Sequence, residues 1–467
     1  MENSRLVELL QTLTASEWRE LKKWVKSPFY NLREDVIKLA DILEKSLKSG
    51  NAVPGKKEIF EKLYGVEMPF DDHKLRMTIS FLFQNAERYL VEKEIFGDKV
   101  FIQTKLAEMY RRRKLPRHFQ KRWQEANQKL ENQTHRHATF HNNRYQLQLE
   151  EFQFSSAMRR TEDFNLQALS DQLDHTYIAQ KLKQICLLLS HQAVYKKDYH
   201  FGLLDEILTY VQNQRLDKIP AVGIYYHCYL ALQQPEKPEL FRHFQSLIFQ
   251  SGTLFPKSEM RDLFILAINF CIKRYNEGIR SFLQIEFELY REGLRREYLL
   301  QEGTLSRFTY RNIVTVALVM KAFDWVEKFI NDYRPALEPA YRESTFSFNL
   351  ARLEYERKNY AQALLLLQKA DYEDLLLNLS AKALAMKIYF ELGEFDLLHA
   401  HLSAMKVFIN RKKLIGYHRD NYTRLLEYVG RILELPAGQR SKKTELKKEI
   451  ENLPAIAEKE WLLAQVS

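Results

Sequence analysis

Between Arg117 and Phe201 the chain runs 85 residues without a glycine or a proline. These two residues are the strongest punctuators of a polypeptide, and a sheet needs such turn signals every few residues. A run this long with neither predicts helices. Elsewhere the same economy holds: glycine and proline together make 26 of 467 residues, less than half the usual share of about 12%. The hairpin dipeptides Asn-Gly and Asp-Gly are absent. The sequence therefore reads as all-α. Its length exceeds the roughly 250–300 residues at which one core stops growing, so several domains or an array of repeats is required. A hydrophobic content of 45% with 13% aromatics supplies ample surface to bury, which argues against disorder.

An array is most visible from 346 to 409, where two helix–turn–helix units follow one another. In the first, Leu350 and Ala351 precede Tyr360, Ala363, Leu367 and Ala370. In the second, Ala385, Met386 and Tyr389 precede Gly393, Phe395, Leu398, Leu402 and Met405. Tyr360 and Phe395, each following a turn, are 35 residues apart. A helical hairpin cannot bury its apolar face alone, so such units stack and build a solenoid with an extended surface. Followed backwards, the phase places equivalent aromatics at Phe323, Tyr199 and Phe164, after segments such as Thr161-Glu-Asp and Lys196-Lys-Asp. The phase blurs between 205 and 320, and the spacing predicts about seven hairpins. Gly393 is expected between the two helices of one hairpin, with Phe395 packed into the junction between units.

These residues resemble the tetratricopeptide pattern of small residues and aromatics, whose period is about 34 residues. Departures are present: Ser347 and Lys382 stand where an early Trp is expected, Glu354 where the first Tyr is, Leu398 where a small Ala is, and Leu375 where a closing Pro is. The resemblance implies a right-handed helical-hairpin (tetratricopeptide-like) solenoid. Its inner helices (182–195, 223–232, 263–275, 310–320, 345–356, 381–392) would line a groove for a peptide or protein. A second segment, Trp24-Val-Lys-Ser-Pro-Phe-Tyr-Asn31, is similar to one found near the start of repeat-containing proteins of Bacteroidota-type bacteria. That implies a lineage and no activity.

Residues 1–97 read as an N-terminal helical module with a core around Trp18, Trp24, Leu39, Leu43, Ile79 and Leu82. Thr14-Ala-Ser-Glu17 has the spacing of a capping box, and Ser27-Pro28 ends the helix that follows. Val36, Leu39, Ala40, Leu43 and Leu47 mark the next helix, closed by Ser49-Gly50. A short helix near 56–64 and a longer one near 71–96 complete the module. Residues 98–158 read as long basic and polar connecting helices, reopened at Pro116, with a break near 131–138 where apolar residues nearly vanish. Hairpins occupy 159–410. Residues 411–467, with a loop at 435–438, read as capping helices.

The formal charge of +10 is concentrated. From Lys99 to Arg122 nine basic residues meet one acid, Glu108. The candidates for contact with an anionic partner are Lys105, Arg111, Arg112, Arg113, Lys114, Arg117, Lys121 and Arg122. Tyr110, Phe119 and Trp123 beside them offer aromatic faces, the other half of a single-strand binding surface. Against this, cations suit the C-terminal turn of a helix before Pro116, and Phe119 and Trp123 fit a core stripe.

His135, His137 and His141 form a metal-like cluster, read here as solvated histidines on a polar helix. Cys186, Cys228 and Cys271 are widely spaced and odd in number, which predicts buried thiols in a reducing cytoplasm rather than a disulfide or zinc site. No phosphate-binding loop, dinucleotide fingerprint, H-E-x-x-H or G-x-S-x-G occurs. No apolar run is long enough for a membrane span. The expectation is a cytoplasmic, non-enzymatic scaffold without cofactor or metal, binding an unknown protein or peptide. The alternative is a nucleic-acid-associated protein using 99–122.

Overall fold

The computed structural model describes residues 4–49, 52–158, 164–195, 197–369, 374–411, 416–435, 440–453 and 455–467. Gly50, Thr161–Asp163, Lys196, Ala370 and the 436–438 part of the loop named above lie outside them. Among the described residues the chain forms 23 α-helices. They are α1 Arg5–Gln11, α2 Ala15–Lys26, α3 Glu34–Lys48, α4 Lys56–Tyr64, α5 Asp72–Gly97, α6 Lys99–Arg112, α7 Pro116–Glu131 and α8 Ala138–Met158. There follow α9 Leu166–Tyr195, α10 Leu204–Asn213, α11 Pro220–Gln233, α12 Pro238–Gln250, α13 Lys257–Asn276, α14 Phe282–Arg295, α15 Arg307–Val319 and α16 Phe323–Asp332. The last are α17 Arg342–Glu356, α18 Tyr360–Lys369, α19 Leu375–Leu392, α20 Phe395–Arg411, α21 Gly416–Leu433, α22 Arg440–Asn452 and α23 Lys459–Gln465. The all-α reading holds with one small addition. Leu300–Gln301 and Thr304–Leu305 pair as a two-residue antiparallel ribbon. Its turn, Glu302-Gly303, has both residues at positive φ, the geometry usually supplied by Asn-Gly.

The helices group into two compact units, Met1–Leu182 with Leu204–Gly223, and Lys183–Leu203 with Ile224–Ser467. In the first, the capping box forms as expected: the Glu17 N–H donates to Thr14 Oγ1 at 3.3 Å and the Thr14 N–H to Glu17 Oε2 at 2.7 Å. That backbone donor, helped by Lys93, holds the Glu17 carboxyl down at about 2. Trp18, Leu21, Leu39, Leu43, Phe60, Leu75 and Leu82 share one buried cluster, with Trp24 and Ile79 packed at its edge. A second cluster joins α6, α7 and α8 through Val100, Ala126, Leu130, Phe140 and Leu147. The segment read as connecting helices is thus a packed three-helix element.

One turn recurs at four helix–helix junctions. Lys114, Lys321, Lys358 and Gly393 lie in the left-handed region, at φ of 57°, 55°, 63° and 72°. In each case the next residue's N–H reaches back five residues to a helix carbonyl: Leu115 to Tyr110, Ala322 to Ala317, Asn359 to Glu354 and Glu394 to Tyr389, at 2.8–3.0 Å. This six-to-one bond satisfies a carbonyl that the ending helix leaves open. The following helix starts two residues after the left-handed one, at Pro116, Phe323, Tyr360 and Phe395. The hairpins α15–α16, α17–α18 and α19–α20 follow in series, and α17 packs on both α15 and α19.

Two expectations fail here. Phe395 is 51% exposed, because the first residue of the second helix does not face the core. The residue three positions on does: Phe119, Val326, Ala363 and Leu398 are all buried. Phe164 and Tyr199, though also 35 residues apart, do not bracket a turn, since α9 runs between them unbroken. No residue described in that interval takes a left-handed φ.

Candidate functional site

The basic cluster folds into the α6–α7 hairpin. Asp98 opens α6, its carboxylate accepting from the Val100 and Phe101 N–H groups at 3.0 and 2.9 Å. Arg111, Arg112, Arg113 and Lys114 fall on its last turn and the reversal, where the helix dipole favours cations. Half of the eight candidates are neutralised. Arg111 grips Glu150 of α8 with Nε at 2.7 Å and a terminal nitrogen at 3.3 Å. Lys105 is 2.8 Å from Glu108, which also pairs with Arg112. Lys105 thereby holds the Glu108 carboxyl below its usual range. Arg122 meets Glu125 at 2.7 Å and Gln103 at 3.4 Å.

Arg113, Lys114, Arg117 and Lys121 are exposed, and no ion pair reaches them from the described residues. Arg117 and Lys121, four apart on α7, share a face. The aromatics beside them serve packing: Phe119 is buried and stacks on Phe154 at 4.0 Å, and Trp123 Nε1 donates to the Leu147 carbonyl at 3.2 Å.

The histidines part company. His135 is exposed, while His141 is buried against His175 of α9, with ring centroids 5.4 Å apart. The expectation of solvated histidines on one helix holds only for the exposure of His135: His135 and His137 precede α8, which begins at Ala138, and His141 is covered by α9. His141 Nδ1 is 2.9 Å from Gln172 Oε1, and burial pushes its pKa down to about 4. Among the described residues no three metal-ligating side chains converge.

In the second unit the candidate surface is made by alternate helices. Cys186 of α9 donates to the Tyr225 carbonyl of α11 at 3.4 Å, and Tyr225 Oη donates to Glu259 of α13 at 2.7 Å. Lys183 is 3.5 Å from the same Glu259. All three cysteines are free and buried, as expected of them. Cys186 and Cys228, 42 positions apart, lie side by side, a proximity that no local pattern signals, and burial drives the Cys228 thiol pKa up. A cavity of about 410 Å³ opens among the same three helices, lined by Leu189, Gln192 and Ala193 of α9, Leu232 and Gln233 of α11, and Leu266, Asn269, Phe270, Lys273 and Arg274 of α13. Farther along, Arg352 of α17 donates to Thr315 Oγ1 of α15 at 3.0 Å. On α15, Arg307 lies 3.7 Å from the Tyr341 ring centroid and pairs with Asp374 at 3.3 Å.

No protein-family model matches this chain, and neither a curated protein nor a solved structure matches it significantly. Among the described residues no helix is long and apolar enough to cross a membrane.

Proposed function

We propose that this protein is a non-enzymatic cytoplasmic scaffold whose second unit is a tetratricopeptide-like solenoid. In this reading it takes a peptide or protein on the face formed by α9, α11, α13, α15, α17 and α19. The observation that carries the reading is the cavity bounded by α9, α11 and α13, three of the helices that the repeat phase assigns to an inner surface. The serial packing of α15, α17 and α19 supports it, and the three buried free thiols are in keeping with a reducing compartment. A photo-crosslinking side chain at Asn269, which is exposed beside the cavity, tests it against one at the exposed Arg242 of α12. Adducts from position 269 and none from 242 are expected in native cytoplasm. Equal labelling, or none from either, would remove the support.

A second reading, nucleic-acid contact through the α6–α7 hairpin, is favoured by one observation: Arg113, Lys114, Arg117 and Lys121 are exposed and unneutralised together. If they contact phosphates, replacing all four with Gln lowers the salt dependence of binding to a single-stranded oligonucleotide by about 3 units of log–log slope. Submicromolar binding abolished in that variant would make this the leading reading.

A further inference from the structure

The face made by α15 and α17 holds two guanidinium groups that, among the described residues, have no acid within ion-pair distance, although Asp374 acts on Arg311 and Glu458 and Glu356 act on Arg352 from farther off. Arg311 and Arg352 stand 5.6 and 5.8 Å from the centroid of the buried Phe348 ring. Both are half-buried, and among the described residues neither makes an ion pair. The hydrogen bonds of Arg352 go to neutral oxygens, Thr315 Oγ1 at 3.0 Å and Asn349 Oδ1 at 3.4 Å. Arginines nearby do find acids: Arg307 has Asp374 at 3.3 Å and Glu338 at 3.6 Å, and Arg357, just past α17, has Glu327 at 2.6 Å, whereas Arg342 of α17 donates to the Pro335 and Leu337 carbonyls. Arg311 and Arg352 differ from Arg342 in standing about one buried aromatic ring.

Burial pushes both guanidiniums below their ordinary pKa, Arg352 down to about 10, where attraction from Glu458 opposes the shift and repulsion from Arg311 adds to it. At neutral pH both remain charged. Across from them the hydroxyls of Tyr422 and Ser380, 3.2 Å apart, offer neutral polar groups. Two like charges partly stripped of water and without a close ion-pair partner raise the free energy of the empty face. An oxyanion between them relieves both, and the planar fork of each arginine matches a carboxylate through two parallel hydrogen bonds.

We infer that Arg311 and Arg352, set about Phe348 on this face, anchor the carboxylate side chains of an acidic peptide segment. The inference rests on the proposed peptide-binding role of the face and specifies the partner's chemistry. An aspartate or glutamate would take the two guanidiniums, and an apolar neighbour in the peptide would lie over the aromatic and aliphatic surface around them.

The test is selection of a random peptide display library on the full chain, followed by fluorescence anisotropy with the enriched peptide and with a labelled Asp/Glu-rich control peptide. Acidic sequences should be enriched, and R311Q/R352Q should weaken them at least tenfold. The R311K/R352K variant, which keeps charge but loses the forked geometry, should fall between the two. Circular dichroism melting of each variant separates lost binding from lost folding. If R311Q/R352Q does not fold, the Lys variant and salt titration of the native protein carry the test, with affinity for the acidic peptide expected to fall as salt rises. Enrichment of non-acidic peptides, or acidic peptides indifferent to the substitutions, overturns the inference while leaving the peptide-binding role standing. No enrichment overturns both. An oligonucleotide that binds through Arg311 and Arg352 in preference to the acidic peptide overturns the partner assigned here.

Discussion

The α6–α7 hairpin and the α15–α17 face carry positive charge under opposite conditions. The hairpin is the densest basic segment of the sequence, yet four of its eight candidate cations are matched by Glu108, Glu125 and Glu150, and the other four stand in open solvent. The α15–α17 face shows two guanidiniums without an ion pair among the described residues, and both are partly withdrawn from water. Solvated charge is nearly free of cost, whereas desolvated charge without a partner is not. In this chain the density of charge along the sequence does not tell which cations lose their water.

The largest expected effect tests the matched side of that contrast. Glu150 is buried, and Arg111 has its two-point grip there. Glu150→Gln leaves Arg111 without its counter-charge and should destabilise the first unit by about 3 kcal/mol, read as a lower urea midpoint by Trp fluorescence. A shift below roughly 0.5 kcal/mol, the range of ordinary surface sites, would put Arg111 back among the free cations.

Next comes an acid that mirrors the unmatched arginines. Glu286 of α14 is 2% exposed, and burial pushes it from 4.5 up to about 7. Because the folded value lies above the unfolded one, the folded protein keeps this proton at pH 5–6 while the unfolded chain has released it. The resulting stability is complete below 4.5 and is lost as pH rises through 7, by about 3 kcal/mol at most. Glu286→Gln should remove that part of the pH dependence in thermal melts between pH 5 and 8. An unaltered profile would show that Glu286 finds compensation when ionised.

Smaller in size, but decisive for the unmatched side, is Arg352→Met. Removing one of two crowded cations while keeping the aliphatic stem should leave stability unchanged or raise it by about 1 kcal/mol. A loss above roughly 2 kcal/mol would mean that the bonds to Thr315 and Asn349 are structural, and the contrast would dissolve. The smallest effect belongs to the exposed cations: replacing Arg113, Lys114, Arg117 and Lys121 with Gln should alter stability by no more than about 0.5 kcal/mol.

Much of the local structure was legible. The Thr14–Glu17 box, the 56–64 helix, the break between α7 and α8 and the stop at Gly393 all have chemical signatures within a few residues. The remaining turns did not, because Lys114, Lys321 and Lys358 take a left-handed conformation that glycine marks openly and lysine does not. Periodicity alone misplaced Phe395, since an aromatic at a helix start and one on its buried face look alike in sequence. The burial of His141 depends on α9, and the isolation of Arg311 and Arg352 depends on which acids other helices bring near. Neither is a property of any short window.

The recurring turn has a kinetic consequence. Its closing bond spans five residues, and each hairpin joins helices adjacent in sequence, so little loop entropy is lost before contacts begin to form. Chains dominated by such local contacts fold fast. The stretch from α15 to α20 should therefore assemble hairpin by hairpin as it leaves the ribosome, each new pair finding the previous one already formed as a template.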